Sequence, residues 1–286
     1  MAGKIGVIGG SGLYEMAELE DVERVEVKTP FGDPSDAFIT GRLDGKEMVF
    51  LPRHGRGHRL SPSRLNFRAN IFGMKRLGVE RLIAVSAVGS MQEVIAPGHV
   101  VIPDQFLDFT KGRVSTFFGE GVAAHVSMAD PVCLELSAHL GEAARAMGAT
   151  VHQGGAYVCI EGPQFSTRAE SNVYRSWGAS VIGMTNMPEA KLAREAELCY
   201  ATLALVTDYD CWHETEADVA VDAIVELLKR NAALACGIIQ QTALRLPVER
   251  QCSCKDALRD AIITSPEAIP AKIKGDLRII LSKYLG

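Results

Sequence analysis

The feature that most restricts how this chain folds is a recurrence of short, apolar, β-branched runs set between longer helical patterns. The runs are Ile5 to Ile8, Met48 to Leu51, Leu82 to Ala87, His99 to Ile102, Ala156 to Ile160, Val181 to Met184 and Ala201 to Thr207. Each is short for a helix and rich in residues that suit a pleated surface, so each reads as a buried strand. Helical patterns lie at Arg64 to Leu77, Pro131 to Met147, Arg168 to Trp177, Pro188 to Cys199 and Ala217 to Leu244. Strands alternating with helices predict an α/β fold. No Pro/Gly/Ser-rich linker, charge block or internal repeat interrupts the series, so a single domain over 1–286 with a mixed or parallel sheet is the simplest organisation. From about Val248 the pattern turns irregular, and Ala271 to Tyr284 then resembles a closing helix.

A chain of 286 residues, 47% of them hydrophobic, buries enough surface to need neither disulfide nor metal for stability. Any cofactor must therefore follow from chemistry. The net charge of −5 and the lack of a basic stripe with interleaved aromatics argue against a nucleic-acid partner. No apolar run approaches the roughly 18 residues of a membrane span. Met1 to Lys4 leads straight into a strand pattern without the features of a signal peptide, so the cytoplasm is the expected compartment. Seven cysteines, an odd number, lie between Cys133 and Cys254 and do not form a secreted disulfide framework. Cys252-Ser253-Cys254 has a spacing that fits a strained redox-active disulfide, half a metal site, or coincidence, the last being the plainest reading.

Five motifs carry chemistry. In Gly6-Val7-Ile8-Gly9-Gly10-Ser11-Gly12 a strand runs into a glycine-rich turn whose amides and Ser11 hydroxyl suit a phosphate. A nicotinamide site would want a different glycine spacing opening a helix, while a purely structural turn stays open. Arg53-His54-Gly55-Arg56-Gly57-His58 follows a strand and reads either as an anion site or as a solvated basic loop. Its place at a strand's carboxyl end is where α/β crevices form. Val85-Ser86-Ala87-Val88-Gly89-Ser90 ends a strand in small residues that allow close approach of a ligand, or simply a tight bend. Glu161 to Glu170 reads as a loop capping a helix through Ser166 or Thr167, with Phe165 placed to stack on a planar base or to fill the core. Finally, Thr207-Asp208-Tyr209-Asp210 ends a long apolar strand with two carboxylates two residues apart, on one side of the pleat. Their repulsion and partial burial raise one pKa and keep a proton available for a leaving group, unless the turn is merely exposed.

Taken together, these motifs and Thr29-Pro30-Phe31-Gly32 resemble the trimeric purine nucleoside phosphorylase family, and within it the methylthioadenosine phosphorylase branch, from Ile5 to about Leu234. The resemblance implies a nucleoside-phosphorylase-like fold, a mixed, partly barrel-like β-sheet flanked by α-helices. It implies phosphorolysis of a nucleoside, with inorganic phosphate as co-substrate, no organic cofactor and no metal, and a homotrimer or dimer of trimers. By the same resemblance Ser11, Arg53, His54, Ser86, Ala87 and Thr185 surround phosphate, and Met184 lies against the ribose. Phe165 and Ser166 line the purine pocket, and Asp208 and Asp210, with Tyr209 between them, face the purine N7 and 6-amino group. Val221 and Ile224 lie near the 5′ substituent, and His125 reaches it from the adjacent subunit. The C-terminal Cys252-Ser253-Cys254 resembles one seen in thermophilic members, which sets a disulfide there level with coincidence.

The choice of base follows from hydrogen-bond chemistry. A 6-amino group donates and wants a carboxylate, whereas a 6-oxo group wants an N–H donor, and the family's 6-oxopurine members usually carry asparagine where this chain has aspartate. Adenine is thereby favoured. Apolar Val221 and Ile224, where the family's ordinary nucleoside phosphorylases tend to present histidine to a 5′-hydroxyl, suit a methylthio group.

Overall fold

The computed structural model describes residues 3–285 apart from 11–12, 14–15, 17 and 214–220, and of 221–229 it describes the backbone but not the side chains. The strands are β1 (Lys4–Gly9), β2 (Leu19–Val25), β3 (Phe38–Leu43), β4 (Lys46–Pro52), β5 (Val79–Ser90), β6 (Val100–Ile102), β7 (Gln105–Phe109), β8 (Val151–Gln153), β9 (Ala156–Ile160), β10 (Ala179–Gly183) and β11 (Cys199–Asp208). The helices are α1 (Phe67–Arg76), α2 (Leu134–Ala146), α3 (Arg168–Ser176), α4 (Asn186–Glu195), α5 (Val221–Arg245), α6 (Ala271–Asp276) and α7 (Arg278–Leu285). All the strands belong to one mixed sheet, in the order β2-β3-β4-β1-β5-β10-β9-β7, with β11 joining at β5 and carrying β6 and β8 beyond it.

The sheet branches at β5. Its first half pairs with β1 in parallel and its last two residues with β10 antiparallel, while β11 runs parallel to it along the other side. Each apolar run read from the sequence lies within or overlaps one of these strands, and the reason for their uniform apolarity is visible in the two cores. Along β1, Val7 faces the layer of α2 and α5, and Ile8 the layer of α1 and α4; Phe50 and Leu51 of β4 divide in the same way. A strand covered by helices on both faces buries every side chain, so alternation is lost.

Strands β2, β3, β7 and β8 are not among the runs read from the sequence. β2 has five exposed residues of seven and stands at one end of the sheet, and β8 has only three residues, none fully buried. Such strands form because a neighbour offers its backbone, a signal absent from their own side chains. The β3–β4 hairpin turns through Asp44 (φ 49°) and Gly45 (φ 75°), the two left-handed positions that an Asp-Gly pair tolerates. Helix α3 starts at a capping box in which Thr167 and Glu170 bond each other's backbone N–H, so Thr167 and not Ser166 is the cap. The single closing helix read from the sequence is instead α6 and α7, which meet at Leu277, buried in the core. Among the described residues no helix is long and apolar enough to cross a membrane.

Candidate active site

The carboxyl ends of β4, β5, β10 and β11 converge on a cavity of about 380 Å³, and Gly10, just past β1, joins its wall. Arg53, His54, Ser86, Ala87, Phe165, Met184, Thr185, Asp208 and Asp210 all line it, so most of the site residues read from distant parts of the sequence stand around one space.

Arg53 follows β4 directly, and its role differs from that of a free anion clamp. Its side chain is 3% exposed, and Nε and Nη2 each lie 2.9 Å from the carboxylate of Glu189 on α4. Nη2 also donates to the Ile8 carbonyl at 3.2 Å and Nη1 to the Val85 carbonyl at 2.7 Å. The bidentate fork therefore faces Glu189, which leaves one Nη1 hydrogen for a ligand. Tyr200 donates to the same carboxylate at 3.0 Å. Sequence reading missed Glu189, because the polar helix sequence around it gives no sign that this carboxylate is fully buried against Arg53.

His54 is likewise not a cation at neutral pH. Burial pulls its imidazole down to about 4 despite a hydrogen bond to the Leu60 carbonyl, and neighbouring Arg53 and His58 add to the shift. That bond, Nδ1 to Leu60 O at 2.8 Å, fixes the neutral tautomer with the proton on Nδ1 and leaves Nε2 as an acceptor. The Ser86 hydroxyl lies 3.1 Å from the Tyr157 hydroxyl, which burial keeps un-ionised far above the ordinary tyrosine range. This end of the cavity offers hydroxyls, one guanidinium hydrogen and an imidazole acceptor.

The other end is acidic. Strand β11 stops at Asp208, and Asp210 starts a 3-10 turn with φ 53°, so the two aspartates do not share a pleat as their spacing predicts. The left-handed turn brings them together instead. Both pack over Gly89 of β5: a Cβ there would stand 2.9 Å from Asp208 Oδ1 and 3.3 Å from the Asp210 Cβ. Asp208 Oδ1 accepts the Asp210 N–H at 2.8 Å, and the Thr207 hydroxyl lies 2.7 Å from Asp208 Oδ2. Burial raises the Asp210 carboxyl and the charge of Asp208 adds to this, against a 2.6 Å hydrogen bond from the Ser171 hydroxyl.

Tyr209 is not in the cavity wall; it stacks on His213 at 4.6 Å and meets Trp212 edge-on at 5.7 Å. Trp212 donates from Nε1 to the Ser90 carbonyl at 2.7 Å with the Arg175 guanidinium over its ring, so these aromatics brace the turn. Phe165 lies at the rim, 84% exposed. Ser166 is not part of the cavity wall: its hydroxyl is buried with no hydrogen-bond partner among the described residues, and the Cys211 thiol donates to its carbonyl. Arg113, which no sequence motif marks, holds both loops: Nη1 donates to the Met184 carbonyl at 2.8 Å and Nη2 to the Glu161 carbonyl at 2.6 Å. His125 is exposed, its N–H bonded to the Ala261 carbonyl, and it is not part of this chain's cavity wall. Ser11 and the side chains of Val221 and Ile224 lie outside the described residues.

The pattern of the Phosphorylase superfamily matches residues 4–243. S-methyl-5′-thioadenosine phosphorylase of Geobacter sulfurreducens is 64% identical over 282 residues, covering 98% of this chain and 99% of the relative. The solved methylthioadenosine phosphorylase from an antarctic soil metagenomic library superposes with a TM-score of 0.95 at 51% identity, over 98% of this chain and 99% of that one. Methylthioadenosine phosphorylase from Schistosoma mansoni, solved in complex with adenine, gives a TM-score of 0.82 at 34% identity, over 98% of each chain.

Proposed function

The chain belongs to the phosphorylase superfamily, and from that premise we propose that it cleaves S-methyl-5′-thioadenosine with phosphate, yielding adenine and S-methyl-5-thioribose 1-phosphate. The observation that carries this reading is the polarity of the cavity along β5. Ser86 and Ala87 stand at its anion-accepting end and Gly89, beneath Asp208 and Asp210, at its acidic end, about 10 Å from Ser86 along the strand. A purine held at one end and a phosphate at the other bracket the anomeric carbon between them.

Phosphate is held by Arg53 Nη1, Ser86, Thr185 and the amide of Ala87, with Ser11 joining them. His54 Nε2 accepts a hydroxyl of the phosphate monoanion, which is the protonation state that a neutral imidazole selects. As the bond from C1′ to N9 breaks, the sugar becomes oxocarbenium-like, a phosphate oxygen bonds C1′, and a proton passes to N7 of the departing base. The two aspartates are the proton source. Asp208 accepts two hydrogen bonds and its carboxylate lies beside that of Asp210, which burial raises, so the proton is shared within the pair. The ionised member accepts a hydrogen bond from the 6-amino group, and Phe165 at the rim stacks on the purine. Met184 packs on the ribose, and Val221 and Ile224 meet the methylthio group, with His125 supplied by a neighbouring subunit of a homotrimer or dimer of trimers. The chemistry uses no metal or organic cofactor, and the products return to purine and methionine salvage in the cytoplasm.

The test is incubation with S-methyl-5′-thioadenosine with and without phosphate. Adenine and the sugar 1-phosphate appear only with phosphate. Equal adenine in both arms makes the protein a nucleosidase, binding without turnover a sensor, and NAD binding at Gly9 to Gly12 a dehydrogenase.

A further inference from the structure

Four cysteines from three separate parts of the chain meet far from the cavity. Cys133 caps α2, Cys199 opens β11, and Cys252 and Cys254 belong to the 3-10 turn in the irregular tail. Their four sulfur atoms all lie within 4.8 Å of one another, the pair from Cys199 and Cys252 at 3.3 Å. Cys133, Cys199 and Cys254 are buried and Cys252 half-buried. Tetrahedral zinc with four thiolates at about 2.3 Å sets its sulfurs about 3.8 Å apart, so sub-ångström side-chain shifts turn this cluster into such a cage.

The surroundings favour a charged tetrathiolate over four thiols or two disulfides. Arg194 Nη1 lies 3.8 Å from the Cys254 sulfur and Arg250 Nη1 4.0 Å from the Cys199 sulfur, while the Leu136 N–H donates to the Cys133 sulfur at 3.5 Å. Zinc bound to four thiolates carries two negative charges, which two guanidiniums and backbone N–H donors offset as outer-shell partners. Arg250 also pairs with Glu80 at 3.3 Å, and a tetrathiolate adds a second anionic group for the two guanidiniums, which neutral thiols or disulfides do not. Each sulfur also lies near all three others, a tetrahedral grouping and not two separate couples.

We propose that Cys133, Cys199, Cys252 and Cys254 bind one structural zinc ion that fastens the C-terminal tail to the start of β11 and α2. Binding replaces four S–H bonds by four Zn–S bonds and releases the protons to solvent. The site is separate from the nucleoside chemistry, because the ten residues of extended β11 set Cys199 and Asp208, at its two ends, about 30 Å apart.

Elemental analysis of the full-length protein, purified without chelator from zinc-supplemented cells, is expected to show one zinc per chain, and cobalt(II) in its place to give the absorption of a tetrahedral thiolate complex. Cys252→Ser is expected to take the zinc from one equivalent towards none and to lower the melting temperature while turnover at the cavity persists. Should that variant fail to fold, the zinc content and cobalt spectrum of the unaltered chain decide the matter. Absence of stoichiometric zinc overturns the proposal, whether all seven cysteines titrate as free thiols after denaturation or only three do because two disulfides formed. Iron in place of zinc overturns it as well.

Discussion

At the scale of single residues, burial changes what each polar group offers. Arg53 looks like an anion clamp in sequence, yet its fork is held by Glu189, and His54 is a neutral acceptor and not a second cation. On the proposed reading, phosphate recognition rests on hydroxyls and oriented N–H groups more than on net positive charge. At the acidic end, burial raises Asp210 beside Asp208, so the pair holds a proton to higher pH than an exposed aspartate would. Replacing either aspartate by asparagine removes that proton and turns an acceptor into a donor. Asp208→Asn and Asp210→Asn are expected to lower kcat/KM for S-methyl-5′-thioadenosine by about 10²- to 10⁴-fold and to move preference towards 6-oxopurine nucleosides. Because the acid works only when protonated, kcat of the unaltered chain falls as pH rises through the apparent pKa of the pair. Asparagine variants with full activity on the amino substrate would remove the aspartates from the mechanism.

At the scale of elements, the site depends on how β5 and β11 lie against each other. Their register shifts between Val206 and Asp208, opposite Gly89, and there the strand gives way to the turn at Asp210. A missing side chain at Gly89 is what lets both carboxylates descend onto β5. Gly89→Ala places a methyl 2.9 Å from Asp208 Oδ1, within a wall also formed by Ile182, so the carboxylate must move. Displacement of a reacting group by about 1 Å costs roughly 100-fold in rate. The expected result is such a loss of kcat/KM with an unchanged far-UV circular dichroism spectrum, and wild-type turnover in this variant would refute the packing argument.

At the scale of the whole molecule, a buried carboxyl couples stability to pH. Burial raises Glu195 to about 7, although the Phe117 N–H and Thr116 hydroxyl bond it and oppose the shift. An unfolded glutamate releases its proton near 4.5, so between about 4.5 and 7 the folded chain binds the extra proton and stability falls as pH rises. The full difference amounts to about 3 kcal/mol, complete above the folded pKa. Glu195→Gln, which mimics the protonated form, is expected to gain stability over the unaltered chain as pH goes from 5 to 8 in thermal unfolding; a pH-independent difference would contradict the assignment. The amino-acid sequence by itself determined the α/β class, the buried strands and most of the cavity's residues, because central strands covered on both faces must be apolar and because motifs at their carboxyl ends are local. It did not determine the polar edge strands, the fork of Arg53 on Glu189, the left-handed turn at Asp210, the clamp of Arg113 or the meeting of four cysteines. These depend on groups far apart in sequence finding each other in space, and only the tertiary structure sets burial, hydrogen-bond partners and hence charge.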